Sequence, residues 1–83
     1  MGAKPQHDPA YRRLCAEMRA WREGAGLTQR ALAERLKRPH SFVYKVESGN
    51  RRIDPIELAH WVNACGIAAA TVIKAMGVKA RSR

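Results

Sequence analysis

Apolar positions recur at steps of three and four along the chain, and no stretch alternates as a strand would. Tyr11, Leu14, Cys15, Met18 and Trp21 mark one face of a first helix. Asp8-Pro9 supplies its cap and opening residue, and Gly24-Ala25-Gly26 stops it. Arg12, Arg13, Glu17, Arg19 and Glu23 fill its other side. Leu32, Ala33 and Leu36 give the face of a short second helix, about 29–37, behind a Thr28 cap. Pro39 opens a third, 39–48, with Phe42, Val43 and Val46 inward and Gly49 at its end. Asp54-Pro55-Ile56-Glu57 combines a capping box with a proline start. Ile56, Leu58, Ala59, Trp61, Val62 and Cys65 follow in this fourth helix, which Gly66 ends. Val72, Ile73 and Met76 indicate a fifth, about 68–76, whose start lacks a good cap. The expected fold is therefore all-α, a compact bundle of five helices. Its domain spans 8–77, between a loose leader, 1–7, and a basic tail, 78–83.

Eighty-three residues leave room for one domain with a thin stability margin and no deep cleft. No stretch approaches the ~18 unbroken apolar residues of a membrane span. The first eight residues carry no apolar run of a secretory signal. A cytoplasmic, nucleoid-associated protein is expected. Sixteen Lys and Arg against seven Asp and Glu give a net charge of +9. That excess favours a polyanionic partner, nucleic acid before membrane; solubility alone is the plainer alternative. Cys15 and Cys65 sit at apolar helical positions and read as small core residues in a reducing compartment. His60 lies five residues before Cys65, but no second pair has metal-ligand spacing, so no metal and no cofactor is expected. No nucleophile–base set, phosphate loop or paired carboxylates emerges, and no enzyme is expected.

The informative stretch is 29–46, two short helices joined by a very short turn. One can rest across a DNA backbone while the next enters the major groove. Ala33 supplies the small residue needed at their crossing, and Val43 and Val46 lock the second helix from behind. His40, Ser41, Tyr44 and Lys45 are left outward to hydrogen-bond.

Leu27-Thr28-Gln29-Arg30-Ala31-Leu32-Ala33-Glu34-Arg35-Leu36 resembles the opening of the lambda-repressor-like, or Xre/Cro-type, helix-turn-helix family. Phe42 to Gly49 resembles it too, as does Arg51-Arg52-Ile53-Asp54 with Glu57-Leu58 behind it. The likeness runs from about Leu14 to Ile67, and it is the order and spacing of these strings that is specific. It implies base-edge contacts for His40, Ser41 and Lys45, with Tyr44 beside them reaching a phosphate or a thymine methyl, or else packing on a neighbour. It implies phosphate contacts for Thr28 and Gln29 at the start of the second helix, and for Asn50, Arg51 and Arg52 in the loop behind the recognition helix. It also implies an Arg22–Glu47 ion pair inside the domain. Two departures stand out. Lys37 occupies the turn where the family usually has Gly. Arg38-Pro39 stands where Ser or Thr usually opens the recognition helix, which leaves backbone donors there, and Arg38, for a phosphate. Arg12, Arg19 and Arg35 read as a solvated face, as do Lys74, Lys79, Arg81 and Arg83. Trp21 and Trp61 read as core.

The expected function is sequence-specific double-stranded DNA binding by a bacterial transcriptional regulator that represses by occupying a palindromic operator as a homodimer. Val72, Ile73, Met76 and Val78 form the candidate dimer stripe, unless the fifth helix is spent completing the core. The alternatives are an antitoxin-like protein whose main partner is another protein, and a non-specific packaging protein.

Overall fold

The computed structural model describes residues 8–76. Five helices follow in order, α1 Pro9–Gly24, α2 Gln29–Leu36, α3 His40–Glu47, α4 Pro55–Cys65 and α5 Ala69–Ala75, and no strand occurs among the described residues. The leader, Val78 and the basic tail lie outside them.

Local chemistry sets most boundaries. Asp8 caps α1 by accepting from the Ala10 N–H at 2.9 Å, and Thr28 caps α2 from Ala31 at 3.0 Å. Asp54 and Glu57 close a reciprocal box at the start of α4. Four helices end at a left-handed residue that turns the chain, with backbone bonds satisfying the last carbonyls. Those residues are Gly26 after α1, Lys37 after α2, Gly49 after α3 and Gly66 after α4. At Lys37 (φ 57°) the N–H groups of Lys37 and Arg38 reach the Glu34 and Ala33 carbonyls at 3.1 and 2.9 Å. The turn thus keeps its left-handed form without glycine, at a strain of about 1 kcal/mol.

The bounds of α2, α3 and α5 differ by one residue from the sequence expectation, at both ends of α3 and α5. The second helix stops at Leu36, because Lys37 has left the right-handed region. The third starts at His40, because Pro39 has a proline φ of −59° but an extended ψ of 153° and so stands as the cap residue. Ile56, in the apolar run of α4, is 66% exposed, because the first turn of that helix overhangs the core.

α2 packs on α3 and α4, α1 crosses α3 and α4, and α5 folds back onto α1 and α4. Trp61, Met18, Leu32, Val43 and Val46 are fully enclosed at the centre. Each such side chain contributes about 1.5–3 kcal/mol of burial. Ala33 is also fully buried, which permits the close α2–α3 approach. The Trp61 indole donates to the Met18 carbonyl at 3.2 Å, tying α4 to α1. Among the described residues no buried side-chain polar atom lacks a partner.

Candidate nucleic-acid interface

α3 is apolar behind and polar in front. Val43 and Val46 are fully buried and Phe42 nearly so. His40, Ser41, Tyr44 and Lys45 are all exposed, at positions that helical geometry gathers into one stripe. Tyr44 is 56% exposed, so its ring is not spent on a neighbour. No side chain caps the start of this helix. A ridge of this kind can enter a groove and present hydrogen-bonding groups to base edges.

The angle of that ridge is held from inside. Arg22 donates to Glu47 through Nε at 2.6 Å and Nη2 at 3.1 Å, and to the Leu27 carbonyl through Nη1 at 2.7 Å. Gln29 adds an amide bond to Glu47 at 3.0 Å. The Arg22 and Glu47 side chains are 8% and 4% exposed. The bonds to Glu47 hold the Arg22 guanidinium protonated above its ordinary range. One carboxylate thus joins α1, the start of α2 and the end of α3. Gln29 spends one of its amide donors inward, and Thr28 spends its oxygen on the cap. Both remain beside the ridge, with Thr28 exposed and Gln29 half-buried.

A second cluster flanks α3 on both sides. Arg38 precedes the helix and Arg51 follows it, and one carboxylate, Glu57 of α4, receives both. Arg38 Nη2 reaches Oε2 at 2.6 Å, and Arg51 Nη1 and Nη2 reach Oε1 and Oε2 at 2.8 and 3.0 Å. Both guanidiniums also stack on the Phe42 ring, 4.4 and 4.9 Å from its centre. The Arg51 bonds, with the Asp54 N–H and Arg38, hold the Glu57 carboxyl down at about 2. The loop beyond is pinned by Tyr11. Its hydroxyl accepts from the Ile53 N–H at 3.1 Å and donates to the Arg51 carbonyl at 3.4 Å, while Arg52 stacks on its ring at 4.5 Å. Asn50 and Arg52 are exposed.

The structure therefore gathers His40, Ser41, Tyr44 and Lys45 on α3, Arg38 before it and Asn50, Arg51 and Arg52 after it. Sequence reasoning assigned Glu57 only to a helix cap and missed its hold on two arginines. Arg35, read as a solvated side chain, donates to the Ala64 carbonyl near the end of α4 at 3.0 Å. The candidate dimer residues divide. Val72 is 6% exposed and belongs to the core, Ile73 is 51% exposed, Met76 is half-buried, and Val78 lies outside the described residues. Ile73 and Met76 edge an open apolar groove of about 460 Å³ between α4 and α5, floored by Leu58 and Val62. Cys15 and Cys65 are buried free thiols, and burial pushes both up, away from the reactive thiolate. Among the described residues no cluster could hold a metal ion, and no helix is long and apolar enough to cross a membrane.

A model described as a helix-turn-helix domain matches residues 11–79. A solved structure, an XRE-family like protein from Pseudomonas syringae pv. tomato str. DC3000, superposes with a TM-score of 0.79 at 35% identity, over 86% of this chain and 87% of that one. No curated protein matches. The chain is thus a DNA-binding regulator of helix-turn-helix class, and it belongs to the Xre-type family.

Proposed function

We propose that this chain is a sequence-specific double-stranded DNA-binding transcriptional regulator that acts as a repressor by occupying its operator. α3 enters the major groove, with His40, Ser41, Tyr44 and Lys45 toward base edges. Thr28, Gln29, Arg38, Asn50, Arg51 and Arg52 face the flanking phosphates. The observation that carries this reading is the two-sided character of α3. Its rear is locked by Val43, Val46 and the Arg22–Glu47 pair, while its front carries four exposed polar side chains between Arg38 and the Asn50–Arg52 loop. Two copies on a palindrome, in contact through Ile73 and Met76, supply the affinity that one small domain lacks.

Selection of bound fragments from random DNA tests it. Enrichment of one inverted-repeat sequence is expected, with protection of both halves. Retention of all fragments alike would point to packaging, and retention of none would remove duplex DNA as the partner.

A further inference from the structure

The sharing of Glu57 between Arg38 and Arg51 has a consequence for how selectively DNA is held. The carboxylate does far more than cap α4, which needs only the 3.2 Å bond from the Asp54 N–H to Oε1. Three further bonds, of 2.6, 2.8 and 3.0 Å, come from guanidiniums on either side of α3. The Glu57 side chain is 12% exposed, and those of Arg38 and Arg51 are 38% and 39% exposed. The acid is therefore screened by its own protein, while both cations keep an outward edge. Phe42 stacks under both guanidiniums, so each is held by one ring and one carboxylate, and Arg51 Nη1 also donates to the Arg52 carbonyl at 2.9 Å. Two positive charges and one negative charge leave the trio at a net of one.

We propose that Glu57 is a positioning residue for DNA recognition: it fixes Arg38 and Arg51 as a rigid pair of phosphate donors and halves the charge they present, suppressing attachment to arbitrary duplex. The inference rests on the DNA-binding reading above and names what sets its selectivity. Two free arginines attract any phosphate at any angle, and that attraction is the sequence-independent part of binding. A fixed pair rewards only a backbone whose phosphates arrive in register with α3 in the groove, because its ordering is already done before contact. The halved positive charge weakens encounters that lack that register.

Glu57→Gln is the direct test, because glutamine also serves in the capping box and so keeps the start of α4. The probe is a 20-base-pair duplex of random sequence, alongside the best duplex recovered by selection. For Glu57→Gln we expect about three- to tenfold tighter binding to the random duplex at ~0.1 M salt. The slope of log affinity against log salt should steepen by about 0.9 per bound domain, and preference for the selected duplex should fall. Glu57→Asp keeps the charge but shortens the reach. Its slope should stay at the wild-type value while its preference falls.

An unchanged random-duplex affinity and slope in folded Glu57→Gln overturns the proposal and leaves the DNA-binding reading intact. A steepened slope in Glu57→Asp also overturns it, since the charge would not be the cause. If Glu57→Gln fails to fold, Glu57→Asp decides alone: unchanged preference overturns the proposal and lost preference at constant slope supports it. Wild-type protein that binds neither duplex overturns both readings together.

Discussion

Glu47 is the residue whose loss should cost the fold most for its size. Its side chain is 4% exposed and takes bonds from Arg22 and Gln29, so its removal leaves a guanidinium that is itself 8% exposed with only the Leu27 carbonyl and the exposed Glu23 carboxylate 3.8 Å away. Breaking a buried pair by deleting one partner costs far more than the net worth of the pair. Glu47→Ala is expected to lower unfolding free energy by about 3–5 kcal/mol, read from urea denaturation at neutral pH. A loss below about 1 kcal/mol would place the pair among exposed ones. Glu57 makes a different prediction, one of pH. Its folded value is about 2 against an ordinary 4.5, because Arg51 bonds its carboxylate. A depressed carboxyl stabilises the fold at pH above the unfolded value and loses that contribution as acid protonates it. Thermal midpoints of the wild type should therefore fall between pH 4.5 and 2, the window set by those two values. Glu57→Gln should show a shallower fall across the same window. Equal slopes for the two proteins would mean that the carboxylate gains nothing from its arginines.

α3 and the loop after it divide the work that single residues share. Lys45 lies on the exposed stripe, whereas Arg52 stacks on Tyr11 at the edge of the loop. Lys45→Ala should cost about 1–3 kcal/mol on the selected duplex and relax choice at one or two base pairs. Arg52→Ala should weaken all duplexes alike and flatten the salt slope by about one unit. Titrations against selected and randomised duplexes separate the two, and a reversed pattern would misplace the recognition helix. These helices are legible in the sequence because their signals are local. Asp8, Thr28 and Asp54 cap within three residues, and apolar periodicity marks each buried face. The errors were local too. Pro39 fits either a cap or a first helical residue, and only its ψ of 153° decides. The Glu57 cluster was not legible, since its partners lie 6 and 19 residues away and meet only once α3 and α4 are docked. The Arg22–Glu47 contact, 25 residues apart, was implied by family resemblance and not by period or composition.

The proposed assembly rests on how little surface one such domain offers. A net charge of +9 draws the protein to duplex. If a dimer neutralises about six to ten phosphates, log affinity should fall against log salt with a slope of roughly −5 to −9. The contact proposed between two copies is best probed at Ile73. Val72, its neighbour, is 6% exposed and packs in the core, so deleting α5 would confuse lost association with lost fold. Ile73 is 51% exposed at the rim of the α4–α5 groove, where a charge meets solvent in the monomer but would be buried in a dimer. Ile73→Glu is therefore expected to keep the wild-type thermal midpoint within a few degrees. It should lower the mass measured by sedimentation at high concentration and shorten the footprint on DNA from two half-sites to one. Cooperative filling of the two half-sites should disappear with it, because the proposed contact would be weak in solution and strengthened once DNA holds both copies in place. A folded Ile73→Glu protein that still protects both half-sites with unchanged cooperativity would exclude this face of α5 as the dimer contact.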